Sequence, residues 1–360
     1  MNFDLTEEQQ LLADTTREVL SRNTDSLDTP GWSREVWRQL AEIGILGLGF
    51  EPAESGPIEV AAVMTEVGRR LAPEPVATAA LIPGAVIAAY GLEHQRALLE
   101  AVAAGERLLA FADTEPDNRG GEQPTTRATR QSGGWALTGI KNPVLAGDCA
   151  DTLVVTAALP GGGSGLFLVE ADATDRTAYR TFDNRGGAEI RLENTPAEQL
   201  GPDGDATAQI EAAVIRFQSA LCAEAVGAMD EALRLTAEYL KTRKQFGAPL
   251  KSFQTLTQRA ADMYVSLEVA RSMNLYAAVC IADGRFDPVV AARAKLQIGR
   301  SGRHIAQEAI QLHGGIGVTA EYPVAHYAAR LTAIEQTFGS STDQLRLLTE
   351  RVGDYGVVLL

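Results

Sequence analysis

Residues 206–243 contain no proline, and apolar side chains recur along them at Ile210, Val214, Phe217, Leu221, Val226, Leu233 and Leu240. That spacing predicts one long helix with a broad apolar face. Most helical stability comes from packing such a face, so this helix demands long neighbours. Residues 252–282 read the same way. Asp287-Pro288 sets an N-cap before a proline at the first helical position, opening a helix that stops at Gly314-Gly315. Further helices are predicted over roughly 324–338 and 342–352. The segment 203–360 is therefore expected to be a bundle of long antiparallel helices.

The rest of the chain divides in two. Across 1–107 the pattern is helical. Thr6 with Gln9 reads as a capping box, followed by Leu11, Leu12, Thr15, Val19 and Leu20 at spacings of three and four. Ser33, Val36, Trp37, Leu40 and Ile43 predict a second helix ending at Gly44, and 58–71 and 83–92 predict two more. Across 108–202 short apolar runs at 108–112, 135–138, 153–157 and 166–169 are bounded by glycine, proline and polar clusters, the pattern of short antiparallel strands. Residues 116–126 read as a loose surface loop. No internal repeat or low-complexity tract is present.

Acids outnumber bases 47 to 32, a net charge of −15. This argues against nucleic acid and anionic membranes, both of which select basic surfaces. Cys149, Cys222 and Cys280 form no CxxC and no metal-ligand spacing, so neither a disulfide scaffold nor a metal site is expected. The first residues carry no signal-peptide pattern, and the apolar stretch 79–90 is too short to span a bilayer. A cytoplasmic protein is expected.

Two clusters could carry chemistry. In Arg243-Lys244-Gln245-Phe246-Gly247, running on through Leu250, Phe253 and Gln254, a cation, an aromatic and a glycine meet between two long helices. An arginine fork suits a pyrophosphate. Taken alone, a helix-capping Gly247 with a solvated Arg243 reads as well. In Gln311-Leu312-His313-Gly314-Gly315-Ile316-Gly317 the glycines allow close backbone approach to a ligand, or simply end a helix.

Together, R-x-x-F-G-x-x-L-x-x-F-Q followed by Q-x-H-G-G-x-G resembles the acyl-CoA dehydrogenases. Thr114-Glu115-Pro116, Ala261-Asp262-Met263, Glu321-Tyr322-Pro323 and the opening FDLTEEQ match in order. The resemblance implies a mainly α fold with a central β-domain: an N-terminal helical domain, a small antiparallel β-barrel or sandwich, and a C-terminal four-helix bundle. It implies FAD held between two subunits. One subunit's β-domain takes the flavin ring, while the neighbour grips the pyrophosphate with positions matching Arg243, Gln245, Phe246, Leu250, Phe253, Gln254, Gln311, Leu312, Gly314 and Gly315.

Elsewhere the chain departs from the family. After Thr114-Glu115-Pro116 the family's glycine- and serine-rich turn becomes Asp117-Asn118-Arg119-Gly120-Gly121-Glu122. The element that packs a tryptophan and a hydroxyl on the flavin becomes Lys141-Asn142-Pro143-Val144-Leu145. No catalytic residue is assigned, because the two positions where the family carries its glutamate base hold Gly339 and Phe217. Glu335 and Asp343 flank Gly339 at four residues; the first reads as a solvated helix residue and the second as first-turn capping. Glu224, His313 and His326 are not expected to serve as bases.

The pattern resembles the non-catalytic subunit of actinobacterial α2β2 acyl-CoA dehydrogenases, several of which oxidise steroid side-chain CoA thioesters. The shortening around Glu54-Ser55-Gly56-Pro57 fits that group. A homologous catalytic subunit is the implied partner and binds most of the acyl-CoA, with electron-transfer flavoprotein as acceptor. A self-sufficient homo-oligomeric flavoenzyme with an unusual base, and a structural pseudoenzyme, are the alternatives.

Overall fold

The computed structural model describes residues 5–22, 31–51, 56–116 and 123–354. The substituted turn at 117–122 and the positions Glu54 and Ser55 lie outside them. The chain forms two compact units that interleave in sequence. One comprises 1–27, 61–72 and 218–360; the other comprises 28–60 and 73–217.

The first N-terminal helices are Glu7–Ser21 (α1), Arg34–Glu42 (α2) and Pro57–Arg70 (α3). Thr6 caps α1 in the expected reciprocal box with Gln9. Ser33 caps α2, which buries Val36, Trp37 and Leu40. The helix Ile82–Tyr90 (α4) starts earlier than its proline suggests, because a π-helical turn at Ala77–Leu81 leads into it. Glu93–Arg96 (α5) and Leu98–Ala103 (α6) follow.

Among the described residues, seven strands make the β-domain: Leu109–Ala112 (β1), Arg127–Gln131 (β2), Gly134–Leu145 (β3), Thr152–Ala158 (β4), Ser164–Glu170 (β5), Asp175–Arg180 (β6) and Gly186–Gln199 (β7). The pairings run β4–β5–β7–β3–β2 and return to β4, closing a barrel, with β6 added to β7. Its core holds Leu137, Val144, Leu153, Val155, Phe167, Ile190 and Leu192. Not every pairing is antiparallel, as the sequence suggested. β1 runs parallel to β4, with Leu109 beside Thr152, because β2 and β3 intervene and give the chain length to cross over. Strands β2, β6 and β7 lack an apolar run long enough to announce them, since their outward positions are polar.

The supposed loose loop at 116–126 is anchored at its far end. Thr125 donates its amide and hydroxyl to Glu115 Oε2 at 2.6 and 2.5 Å, and the buried Thr126 amide donates to Oε1 at 3.0 Å. Lys141 Nζ completes the knot, donating to Glu115 Oε1 at 2.7 Å, Asp113 O at 3.0 Å and Thr156 Oγ1 at 3.0 Å. Burial works to raise the Glu115 pKa, but the Lys141 ammonium and these donors outweigh it and hold the carboxyl at about 2.

In the other unit lie most of α3 and the C-terminal helices Thr207–Thr242 (α7, from Gln218 onward), Gln254–Ala282 (α8), Pro288–His313 (α9), Pro323–Gln336 (α10) and Ser341–Glu350 (α11). Leu221, Val226, Met229, Met263, Leu267, Ile298, Ile305, Tyr327, Leu331 and Ile334 fill its core. α3 and α7 touch backbone to backbone: a Cβ at Gly227 would overlap the Thr65 carbonyl, and one at Gly68 the Glu224 carbonyl. By length and composition α7 and α8 could each cross a membrane. The apolar window of α7 is 78% buried inside the protein, which makes it a core helix, while that of α8 is only 39% buried. Tyr264, Val265, Val269 and Tyr276 stand exposed along α8.

Lys141→Met leaves Glu115 buried without its cation and is expected to cost about 3–5 kcal/mol in denaturant unfolding. Adding Glu115→Gln should recover much of that loss. Because the folded Glu115 pKa is depressed, its contribution is complete above the ordinary carboxylate value of 4.5 and disappears as pH falls toward 2.

Candidate functional site

Helix α7 ends at Thr242, and the first cluster begins there. Gly247 does not cap that helix. Lys244–Gln245 (β8) and Ala248–Pro249 (β9) pair as a two-residue hairpin, with Phe246 and Gly247 at φ 54° and 81° as its turn. Both central positions need positive φ, as in a type I′ turn. Glycine adopts this freely; phenylalanine does so under strain. The hairpin nevertheless leaves Phe246 92% exposed, 6.1 Å from the half-buried Phe253 ring in an edge arrangement. Arg243, Gln245 and Gln254 are exposed, and the Arg243 guanidinium has no partner among the described residues. Leu250 packs on the edge of the bundle core.

The second cluster closes α9. Gly314 caps the helix at φ 67°, ψ −143°, and a 3₁₀ turn runs through Gly314–Val318. A Cβ at Gly314 or Gly315 would meet nothing, whereas at Gly317 it would lie 2.9 Å from His313 Cβ. Packing inside the chain thus explains Gly317 and leaves Gly315 open to a ligand. Gln311 is exposed. Leu312 departs from the expected set: its side chain is buried in the bundle core, so it anchors the turn and presents only backbone.

Three aromatic rings join the clusters. His313 lies 4.4 Å from the Tyr239 ring and 4.9 Å from that of Tyr322. Tyr239 precedes Arg243 by one turn, and its carbonyl accepts the Arg243 amide at 2.8 Å. Sequence reasoning set His313 aside and passed over Tyr239; the signal was the four-residue spacing from Tyr239 to Arg243. What results is an exposed arginine, an exposed aromatic and two open glycines at one end of the bundle, a donor set for a polyanion carrying a flat ring.

The base position is different. Phe338 and Gly339 turn at φ 53° and 95° between α10 and α11. The Phe338 carbonyl accepts Gln218 Nε2 at 2.8 Å and Gln344 Nε2 at 3.4 Å. A Cβ at Gly339 would overlap the buried Gln344 amide. Glu335 is not solvated, as its helix position suggested, but buried. Its Oε1 accepts the Ser341 amide at 3.0 Å and Arg303 Nη2 at 3.1 Å, and Gln336 bonds the other oxygen. Lys295 Nζ, its pKa lowered by burial, donates to the carbonyls of Ile334 and Glu335 at 2.8 and 3.0 Å. Asp343 forms the capping box of α11 with Ser340, and Glu224 takes Arg330 in a bidentate pair at 2.7 Å. His326 lies 2.8 Å from the Ala320 carbonyl.

In the β-domain unit, Phe217 is buried with its ring 5.4 Å from that of Phe111. Along β3, Val144 fills the barrel core, Pro143 is exposed and Leu145 is half-buried. Asn142 accepts the Tyr179 hydroxyl at 2.9 Å and donates to Glu189 at 3.1 Å, so the polar groups of this stretch satisfy one another. Cys149 and Cys222 are unpaired thiols pushed up to about 12 by burial. Among the described residues no group of histidine, cysteine and carboxylate side chains could hold a metal ion.

The acyl-CoA dehydrogenase N-terminal domain matches residues 6–106, and the acyl-CoA dehydrogenase C-terminal domain matches residues 211–353. The chain belongs to the acyl-CoA dehydrogenase family, a family of oxidoreductases. It is 31% identical to acyl-CoA dehydrogenase FadE28 of Mycobacterium tuberculosis, over 98% of this chain and 99% of that protein. It matches the structure of the Tcur3481-Tcur3483 steroid acyl-CoA dehydrogenase G363A variant with TM-score 0.89 and 30% identity, covering 97% and 98% of the two chains. It matches the ChsE4-ChsE5 complex from Mycobacterium tuberculosis with TM-score 0.90 and 27% identity, covering 99% and 100%.

Glu335→Gln removes the charged acceptor for Ser341 and Arg303, a loss of about 1–3 kcal/mol in unfolding experiments. Acyl-CoA turnover by the assembled enzyme is expected to stay unchanged. Lost turnover with an unchanged melting temperature would instead identify Glu335 as the base.

Proposed function

We propose that this chain is the FAD-sharing, non-catalytic subunit of a hetero-oligomeric acyl-CoA dehydrogenase that introduces an α,β double bond into an acyl-CoA thioester. One contrast carries the reading. Arg243, Phe246 and the Gly314-Gly315 turn are exposed, the Arg243 guanidinium has no partner among the described residues and Phe246 is strained, while the positions matching the family's base hold Gly339 and Phe217, which cannot take a proton.

The residues present fit FAD. The Arg243 fork matches a pyrophosphate, the open glycines at 314 and 315 allow backbone amides close to it, and Phe246 offers a ring face. Bound FAD would supply the acceptor for the hydride leaving Cβ. This chain's own residues bind and orient. Arg243 neutralises phosphate charge, Phe246 covers an aromatic ring, and Gly315 leaves the backbone open to approach, the Gly314 amide being held by the Ile310 carbonyl. No group at Gly339 or Phe217 can remove the α-proton, so that carboxylate comes from a homologous partner. The exposed apolar side of α8 is where such a partner would seat, since a surface of this kind marks an interface. A steroid side-chain CoA as substrate is supported by the likeness to the Tcur3481-Tcur3483 steroid enzyme.

Co-purification with homologous dehydrogenases encoded nearby, followed by flavin spectra, tests the reading. Flavin is expected in the complex and not in the isolated chain. Arg243→Ala removes charge-assisted donors worth about 1.5–3 kcal/mol each. At about 1.4 kcal/mol per decade, FAD affinity of the complex falls at least tenfold. Gly315→Val fits within the chain itself and should weaken FAD by obstructing its approach. Leu145→Ala should leave FAD binding unchanged. If Leu145→Ala strips flavin while Arg243→Ala does not, the chain holds its own cofactor and the division of labour is wrong.

A further inference from the structure

We propose that His313 is a positioning residue that latches the two dinucleotide loops together, and that protonating it opens the latch, so that the complex releases FAD in acid. The inference rests on the FAD-sharing reading of those loops.

His313 is the last residue of α9 and is 4% exposed. Nδ1 lies 2.7 Å from the Ala309 carbonyl, which can only accept, so Nδ1 carries the proton. Nε2 is then a bare lone pair, buried and without a hydrogen-bond partner among the described residues. The ring is enclosed on three sides. Tyr239 lies at 4.4 Å and Tyr322 at 4.9 Å, and the 3₁₀ turn folds back so closely that only glycine fits at 317. One neighbour, Tyr239, fixes the Arg243 backbone through its carbonyl. The residue after His313 is Gly314, which begins the open turn. Displacing this one ring therefore moves both halves of the grip.

The enclosure suits neutral imidazole and no other form. An imidazolium would present a second N–H where the described residues offer no acceptor, leaving a buried charged donor unsatisfied. The titratable groups against the ring are Tyr239 and Tyr322. Glu238 and Arg234 of α7 act on Tyr322 from further out, and among the described residues no carboxylate acts on His313 itself. Burial accordingly pushes the His313 pKa down from 6.5. A group whose pKa is lowered in the latched state supports that state fully above its ordinary value and withdraws support as pH falls below it.

The experiment is FAD affinity of the assembled complex, measured by flavin fluorescence from pH 8 to pH 5. Wild-type affinity is expected to hold steady to about pH 6.5 and then fall by up to tenfold per pH unit, the limit for one proton. His313→Phe keeps an aromatic ring and cannot titrate; His313→Gln keeps a donor for Ala309 and cannot titrate. Both should flatten the profile. Hydrogen exchange in the FAD-free complex gives a second readout. Peptides spanning 239–247 and 311–318 should exchange faster in wild type than in His313→Phe at pH 5.5, and equally at pH 7.5. Equal pH slopes in wild type and both variants, a constant wild-type affinity down to pH 5, or equal exchange at pH 5.5 would overturn the latch. An Arg243→Ala complex with unchanged FAD affinity would overturn the grip reading instead, and the exchange comparison would still decide the latch.

Discussion

The backbone contact between α3 and α7 is the constraint on which the helical unit depends. Gly68 and Gly227 let the two helices approach until each lacks room for a single methyl carbon. Protein interiors pack like crystals, so a side chain there would push the helices apart and break the register of everything else on α7. That register sets Tyr239 against His313 and places Arg243 at the helix end. The exposed grip thus owes its geometry to a contact well inside the bundle.

Buried charge in this protein is structural. Glu224 holds Arg330, Lys295 caps the end of α10, Glu335 caps the start of α11, and Glu115 and Lys141 tie one end of β1 to β2, β3 and β4. Each ion is desolvated and each has several partners, the condition under which burial of charge is tolerated. The turn at Gly339 extends the same logic, with two glutamine amides closing on the Phe338 carbonyl.

The grip obeys the opposite rule. Phe246 is strained and exposed, and among the described residues Arg243 has no side-chain partner and His313 Nε2 no hydrogen bond. Such positions cost stability, and folds concentrate them at functional sites.

Much of this was legible from residue order. The capping box at Thr6, the stop at Gly44, the Asp287-Pro288 start and the long helices are local signals, read from spacing and cap chemistry over a few residues. The two family motifs were also visible, because they are read from side-chain identity alone. Strands β2, β6 and β7 were not, since a barrel wall with a polar outer face has no apolar run to announce it. Nor could spacing tell that Gly247 turns a hairpin, that Glu335 faces inward, or that Leu312 belongs to the core. Those facts depend on which distant element lies opposite. By itself the sequence determined the long helices and the family. Only the tertiary structure decided which polar groups are paired and which stay exposed, because pairing is set by neighbours as much as 258 residues away, as with Tyr327 and the Arg69 carbonyl.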